Sequence, residues 1–469
     1  MDGATRQLRS FLGINVQYYD ESENKAVVKT LTCADSEKKH SSQQMCQIFE
    51  ATLQKFDVPK ENVLCLVVDN ASNMTKTVER LNENEVPFTD SDEMHNNAVD
   101  EEVDSGDEPV MFVNIHHMRC AVHTLQLAIR DGLKQPQCEK LLTKTRHIVA
   151  KLRSPNVLAV LEKRERKRPV LDTVTRWGST FLMIQRLLEL RNSIEELGVL
   201  SRDLHVSAAM WSSLQELFDV LEMPYSVTVK IQAKSLTSGG FMREWCSLKR
   251  TLSKNESRLA QEILKSMQKC ELTLFQNKLF LAGVYVDARY RILLTEEQTE
   301  LAKIGIMEVA LKSHYNSEPT ASSSNIAAEG EDECIQVIND SHAFSSEDEF
   351  EKELDFLEQQ KSSDQALSST LDLNSQIKQK VTSSIEQMER LGRLKASSVW
   401  KILDSLDEPL LTTAKILSAM PVTQVSVERL FSSMKFILSD HRASMKQDLL
   451  DAILFLRANG QSDQESMTP

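Results

Sequence analysis

The sequence predicts an α/β fold over its first part and an all-helical fold over its middle part. The expected fold class is therefore α/β plus α. Over the first 130 residues, short apolar runs of strand length alternate with stretches of helical periodicity. From Leu141 to Ala310 only helical periodicity remains, in segments separated by short polar breaks. None of the apolar runs reaches the roughly 18 residues that a membrane span needs, so no membrane partner is expected.

Four strands and three helices are predicted in the first part. The run Val63–Val68 is continuously apolar, which is typical of a strand buried on both faces. The run Lys25–Thr32 alternates and fits a hairpin partner of the aromatic strand before it. The predicted strands are Phe11–Tyr19, Lys25–Thr32, Val63–Val68 and Met111–Arg119; the predicted helices are Ser41–Phe56, a helix beginning after Asp69, and Cys120–Leu133.

Shifts in composition divide the chain into four segments. We expect an α/β part over 1–140, and then a helical domain over 141–395 that either follows the α/β part or is inserted into it. A C-terminal helical block over 396–460 and a tail over 461–469 complete the chain. The acid-rich stretches 88–108 and 316–364 have few apolar residues, so they are predicted to be disordered.

The net charge of −14 is unevenly distributed along the chain. Residues 88–108 carry −9 and residues 316–364 carry −12, so the rest of the chain carries +7. Residues 140–168 alone hold ten Lys or Arg against two Glu, a charge of +8. Such a stretch suits a phosphate backbone or a nuclear import receptor, and it is equally compatible with a solvated helix face.

The eight cysteines are scattered along the chain with no CxxC pair. This spacing excludes the common zinc fingers and gives no disulfide framework. Cys120 and His123 are too few to complete the tetrahedral shell of a structural zinc ion.

Two acids lie where folds of this class place functional groups. Asp69 ends the buried strand and precedes a helix, although an aspartate at that position also serves to cap a helix. Glu428 lies at the opening of an amphipathic helix, where the helix dipole alone favours an acid. Trp177 lies at a helix start, and a tryptophan there more often belongs to a core.

Taken in order, five motifs resemble the hAT superfamily of DNA transposases and the host proteins derived from them. The strongest is the C-terminal block, which is similar to the dimerisation region of that family. The resemblance covers residues 2–459, and both acidic segments fall between motifs. The motifs are DNASNM (69–74), RCAVHTLQLAIRDGL (119–133), TRWGSTFLMIQRLLELR (175–191), DARY (287–290) and SVERLFS…HRASM…LLDAILFLRAN (426–459).

The resemblance implies a ribonuclease H-like mixed sheet interrupted by a large helical insertion and completed by the C-terminal block. By motif, the catalytic acids of the family match Asp2, Asp69 and Glu428. In an active member, three such carboxylates hold two Mg²⁺ or Mn²⁺ ions, which stabilise the attacking and leaving oxygens of strand transfer.

The resemblance also implies a DNA-binding surface. Cys120 and His123 match a motif beside the catalytic centre, and Arg176 and Trp177 match the site where an aromatic ring stacks on an extruded base. The basic run that is expected to contact phosphates comprises Lys163, Arg164, Arg166, Lys167 and Arg168.

The sequence departs from the family pattern in three ways. No Cys or His precedes Cys33, so the BED-type zinc finger is lacking, and Ala4 replaces a tryptophan of the first motif. The first strand, which leads up to Asp2, is expected to be missing, which would leave Asp2 disordered and one member of the triad without support.

These features favour a transposase-derived protein that self-associates, is DNA-associated and is catalytically inactive. One alternative is an active or relict metal-dependent transposase with a truncated N-terminus. Another is a protein–protein interaction module that does not bind DNA. The expected partners are a second copy and DNA, with no small-molecule substrate; the expected location is the nucleus, with the cytoplasm as a second location.

Self-association is expected through the C-terminal block. Three apolar stripes in about sixty residues exceed what so small a unit can bury by itself. We expect the third stripe to face a second copy, with burial in the chain's own core as the alternative. Its members are Leu449, Leu450, Ile453, Leu454 and Leu456.

Overall fold

The fold is given by a computed structural model that is mostly helical and contains two small sheets. The acidic segments 88–108 and 316–364 and the tail 461–469 lie outside the residues that it describes. Among the described residues, no helix is both long and apolar enough to cross a membrane. The described residues are 1–6, 9–36, 41–83, 114–165, 167–173, 177–200, 202–315, 373–390, 393–395, 399, 403, 406–438 and 445–460.

The elements follow the predicted order of a mixed first part, a helical middle and a helical C-terminal block. The strands are β1 Asp2–Arg6, β2 Arg9–Asp20, β3 Lys25–Asp35, β4 Cys65–Val68 and β5 His116–Arg119. The helices are α1 Ser42–Lys55, α2 Ser72–Asn82, α3 Ala121–Leu133, α4 Pro136–Leu152, α5 Pro155–Glu165, α6 Trp177–Glu189, α7 Arg191–Leu200, α8 Ala208–Lys230, α9 Ser238–Ser253, α10 Arg258–Leu274, α11 Lys278–Tyr285, α12 Glu296–Tyr315, α13 over 373–390, α14 Leu410–Ala419, α15 Val425–Ile437 and α16 Gln447–Gly460.

The strands form an antiparallel sheet and a parallel pair. The antiparallel sheet has the order β1-β2-β3, and β4 pairs in parallel with β5. The predicted hairpin of β2 and β3 is confirmed. A hydrogen bond from the Met1 amino group to the backbone carbonyl of Val67 (3.1 Å) joins the two sheets.

The expectation that Asp2 is a disordered terminal residue is wrong, although β1 begins at Asp2 and is not the strand that was expected to lead up to it. Residues Asp2–Arg6 form β1, which pairs with β2 from Asp2 opposite Gly13 to Arg6 opposite Arg9. Asp2 is only 8% exposed. The segment DGATR lacks the apolar run that indicates a strand, so its conformation comes from pairing with β2.

The polar breaks of the middle region are helix caps. Ser207, Thr237, Ser257 and Asn277 precede α8, α9, α10 and α11. Each side chain accepts a hydrogen bond from the backbone N–H three residues on, which satisfies an otherwise unpaired donor of the helix start. The predicted helical domain therefore consists of separately capped helices that pack on one another.

The core consists of three apolar clusters. The largest runs through the helical middle region, and the second lies between β2, β4 and the helices α1 and α2. The third joins Phe11 and Cys33 of the antiparallel sheet to α15 and α16. Asn459 of α16 binds both backbone groups of Thr30 (2.9 Å each), so the C-terminal block docks on β3, about 430 residues away in sequence.

Candidate catalytic centre and dimerisation region

The candidate centre lies where β1, β4, α3 and α15 meet. Gln424, just before α15, donates from Nε2 to the carbonyls of Met1 and Val67, and so joins the start of β1 to β4. Its backbone N–H donates to the Cys120 Sγ (3.3 Å) at the start of α3. Gly13 of β2 lets the sheet approach α15, since a Cβ there would lie 2.6 Å from the side chain of Val427.

Asp2 is a buried carboxylate whose ionisation is opposed by its surroundings. Burial raises the pKa of Asp2 to about 6, while the Met1 amino group and His123 act to lower it and Asp69 adds to the rise. The Gly3 N–H donates to its Oδ1 (2.9 Å). A carboxyl group with such a pKa titrates close to neutrality, as functional carboxyl groups often do.

Asp69 follows β4 and takes part in the turn that leads into α2. Its Oδ1 accepts from the N–H of Ala71 (3.0 Å), and Ala71 is the residue that caps α2. Asp69 therefore does not cap α2 itself. It stabilises the turn that precedes the N-cap residue. The electrostatic effect of Asp69 on Asp2 places the two carboxylates in the same region.

His123 lies between Asp2 and Glu428. Its Nε2 is 3.9 Å from Oε1 of Glu428, which occupies the first turn of α15. The neighbouring Cys120 side chain, together with the charges of Glu428 and Asp2, raises the pKa of His123 to about 9 against the opposing effect of burial. The imidazole is therefore cationic at neutral pH. Its buried Nδ1 has no hydrogen-bond partner among the described residues.

The carboxylates suit Mg²⁺ or Mn²⁺ in chemistry but not in arrangement. Hard cations prefer oxygen ligands, which Asp2, Asp69 and Glu428 supply. Within the part of the chain that the structure describes, however, no three His, Cys, Asp or Glu side chains are grouped so that they could hold a metal ion. Metal binding by the three acids stays a prediction.

The predicted DNA-binding run is only partly described. Lys163, Lys167 and Arg168 are exposed, whereas the side chains of Arg164, Arg166 and Arg176 lie outside the described residues. The Nζ of Lys167 lies 3.0 Å from Glu189 on α6. An ion pair this exposed adds little stability and leaves the lysine able to exchange partners.

Trp177 is part of the core. It is 3% exposed and meets the ring of Tyr225 edge-on at a centroid distance of 6.2 Å. The core alternative for this residue fits its position, and stacking on a DNA base would require the indole to leave the core.

Sequence reasoning missed Asp172, which organises the approach to Trp177. It accepts hydrogen bonds from Arg146 (2.9 and 2.7 Å) and from the hydroxyl of Thr180 (2.8 Å). Burial opposes its ionisation, yet these hydrogen bonds outweigh that effect and leave the pKa of Asp172 below its usual value. The sequence signal that could have identified Asp172 was a single acid between a basic run and a Thr-Arg-Trp-Gly motif.

The third apolar stripe is divided between the core and the surface. Leu450 and Leu454 are buried against α15 in the third cluster, and Ile453 is partly buried there. Leu449 and Leu456 are 54% and 70% exposed. The expectation that Leu454 is an exposed member of the stripe is wrong, because α16 turns that face towards β3 and α15.

Comparison with known families supports the motif assignment. The family model described as the ZBED1 RNase-like helical domain matches residues 118–220, and the model described as the hAT family C-terminal dimerisation region matches residues 378–459. No curated protein matches the chain. The second match includes most of α13 together with α14, α15 and α16, so the region that docks on the sheet is the one that is similar to the family's dimerisation region. Together with the ordered motifs, the two matched regions support a transposase-derived protein of the hAT family.

Proposed function

We propose that this self-associating protein binds DNA through its basic helical region and does not cleave it. The observation that carries the proposal is the position of His123, whose Nε2 lies 3.9 Å from Oε1 of Glu428, so that this acid already faces an imidazole. DNA association is supported by the +8 charge of residues 140–168 and by the exposure of Lys163, Lys167 and Arg168.

A ribonuclease H-like mixed sheet is part of the same proposal. Two features support it: the antiparallel order β1-β2-β3 beside the parallel pair β4 and β5, and the Met1–Val67 hydrogen bond that joins them. In such a sheet, α4 to α13 form the inserted helical domain, and α14 to α16 return to close the first part. This arrangement brings Asp69 and Glu428 together despite the 358 residues between them.

A strand-cleavage assay tests the absence of catalysis. The protein is incubated with a hairpin DNA substrate and Mn²⁺ or Mg²⁺, with Asp69→Asn as the matched variant. We expect no product above background in either protein. Cleavage that requires the metal and disappears in Asp69→Asn would establish the first alternative, an active transposase that uses Asp2, Asp69 and Glu428.

DNA binding is tested by the salt dependence of affinity. We expect a steep fall of the association constant between 50 and 200 mM salt, as counterion release requires. Lys163→Gln should reduce the logarithmic salt slope by about one, whereas Lys254→Gln, an exposed lysine at the end of α9, should not. A flat salt dependence, or no binding at 50 mM salt, would favour the protein–protein interaction module. We propose the nucleus as the location, since the basic run also suits an import receptor.

The self-association face is proposed to be the exposed side of α16. Leu449 and Leu456 are two turns apart and therefore share a face of the helix. We expect Leu449→Asp with Leu456→Asp to shift the protein from dimer to monomer in sedimentation at micromolar concentration, with an unchanged melting temperature. Leu272→Asp, an equally exposed leucine on α10, is the control. A dimer that survives the double substitution would move the interface elsewhere.

A further inference from the structure

One face of α6 is accessible and apolar at its centre. Gly178, Leu182, Gln185 and Glu189 are three or four residues apart, so they lie on the same side of the helix. These four residues form the α6 face. Leu182 is 39% exposed, Glu189 is exposed, and Gly178 and Gln185 are half-buried.

The loop 167–173 borders one side of the α6 face. Near the end of α6, the guanidinium of Arg186 donates to the carbonyl of Arg168 (3.1 Å). Near the start of α6, the N–H of Thr173 donates to the hydroxyl of Ser179 (2.8 Å). The loop therefore runs antiparallel to the helix along most of its length.

This side of the α6 face is basic. The side chains of Lys167 and Arg168 are exposed, and that of Arg186 is 31% exposed. Asp172 is already neutralised by its hydrogen bonds to a guanidinium. Glu189 is the acid that faces Lys167 (3.0 Å) and Arg186 (3.1 Å). The three cations exceed this acid by two charges, so this side attracts anions.

The opposite side of the α6 face is aromatic. Phe181 lies two residues after Ser179, about 160° away around the helix. Its ring stacks on Tyr225 and on Phe218 of α8, at centroid distances of 4.4 and 5.1 Å, and both α8 rings are only half-buried. A Cβ at Gly178 would lie 3.6 Å from Cε2 of Tyr225, so the absence of a side chain there leaves this ring uncovered on the α6 face.

A basic side and an aromatic side match the two parts of an unpaired nucleotide. Its phosphate is anionic, and its base has a flat face that stacks on aromatic rings whatever the sequence. In a duplex the bases present only their edges, in the grooves, so the aromatic rings and Leu182 would lack partners. An acidic peptide would pair with the cations but offers no flat partner for the rings.

We propose that the α6 face binds single-stranded DNA, with phosphates along the loop 167–173 and bases against Tyr225 and Phe218. Leu182 would contact the bases between the two sides. The stacking role falls to these half-buried rings, while Trp177 supports Tyr225 from the core by its edge-on contact. The inference rests on the proposed DNA association and names the form of DNA that this surface takes.

The test compares two labelled DNAs on the whole protein by fluorescence anisotropy at 50 mM salt. One is a dT strand of about twelve nucleotides, and the other is the same strand paired with its dA complement. Tyr225→Ala should weaken binding of the single strand at least about fivefold, as loss of a stacking ring does, and change duplex binding less than about twofold. Tyr225→Phe keeps the ring and should bind like the original protein. Equal losses for both DNAs, or no loss, would overturn the proposal.

A second variant tests the α6 face without changing the rings. Leu182→Glu places a carboxylate at the centre of this face, so it should weaken binding of the single strand at least about fivefold. Leu272→Glu, at an exposed leucine of α10, is the control and should not. Circular dichroism establishes that each variant is folded. Unchanged affinity of a folded Leu182→Glu protein would place the DNA elsewhere and contradict the proposal.

Photocrosslinking gives a readout that needs no variant. A dT strand in which 5-iodouracil replaces thymine should attach to Tyr225 or Phe218, identified by mass spectrometry, even if Tyr225→Ala does not fold. Attachment only outside α6, α8 and the loop 167–173 would overturn the proposal.

The outcomes separate this inference from the proposed DNA association. Duplex binding that Lys163→Gln weakens, without binding of the single strand, would contradict this inference alone. No binding of either DNA at 50 mM salt would contradict both.

Discussion

Buried carboxylates have different charged partners in the helical region and in the candidate centre. In the helical region, Asp172 and Asp287 have side chains that are 1% exposed, and each faces a guanidinium, from Arg146 and Arg289 respectively. At the centre Asp2 is nearly as inaccessible, but it faces a histidine and a second carboxylate.

This difference in partners distinguishes acids that stabilise the fold from an acid whose charge changes with pH. A bidentate guanidinium neutralises a carboxylate and fixes its orientation, which holds the loops before α6 and after α11. Asp2 has no bidentate guanidinium partner and is opposed only by the charges of the Met1 amino group and His123, so its protonation responds to pH and to these neighbours. The following substitutions test this distinction.

The largest effect is expected where a structural acid loses its cation. Arg289→Met should lower the free energy of unfolding by about 3–5 kcal/mol, because it leaves the buried Asp287 without its cation. Denaturant unfolding measures the loss. Combining it with Asp287→Asn should restore most of the stability. A loss below about 1 kcal/mol for Arg289→Met would show that this pair is not a structural one.

The next effect concerns the pH dependence of stability near His123. Its pKa in the folded protein, about 9, lies above the ordinary value of 6.5, so the folded state is stabilised below pH 6.5 and loses this contribution as the pH rises through 9. The contribution amounts to about 3 kcal/mol. His123→Gln should remove it from unfolding curves measured between pH 6 and pH 10. The exposed His147, changed to Gln, is the control and should leave the pH profile as it is.

A smaller effect of opposite sign is expected at Asp2. Because its folded pKa is about 6 against an ordinary 3.8, stability decreases as the pH rises from about 4 to about 6. Asp2→Asn should therefore stabilise the protein at pH 7.5 by up to about 3 kcal/mol and change little at pH 4. Thermal unfolding at the two pH values measures the change in stability. If Asp2→Asn is instead less stable than the original protein at pH 7.5, the ionised Asp2 is stabilised by its partners, as Asp172 and Asp287 are.

The smallest effect is expected at the exposed pair of Lys167 and Glu189. Glu189→Gln should change the free energy of unfolding by less than about 1 kcal/mol, since solvent screens the pair. By releasing Lys167 it should strengthen DNA binding at low salt. Fluorescence anisotropy with a labelled duplex measures the affinity, and Glu195→Gln on α7 is the matched control. A large loss of stability would make this pair structural as well.

Local patterns were sufficient for most of the elements. The apolar, aromatic run predicted β2, alternation predicted β3, the continuous apolar run predicted β4, and helical spacing predicted α1 and α3. Each of these signals lies within the element itself. The order of the motifs led to the family, which the two family matches support. The segment Asp2–Arg6 has no such signal, so the strand that it forms was not predicted.

Side-chain environments depended on contacts between distant parts of the chain. Only packing of α16 on β3 and α15 decides that Leu454 is core and Leu456 is surface, since both belong to the same apolar stripe. The sequence likewise contains Asp2, His123 and Glu428 as separate residues. Their mutual effects on charge arise because Gln424 holds α15 against β1 and β4. The sequence by itself determined the elements and the family, while tertiary structure decided burial and ionisation, because desolvation and Coulomb interactions depend on proximity in space.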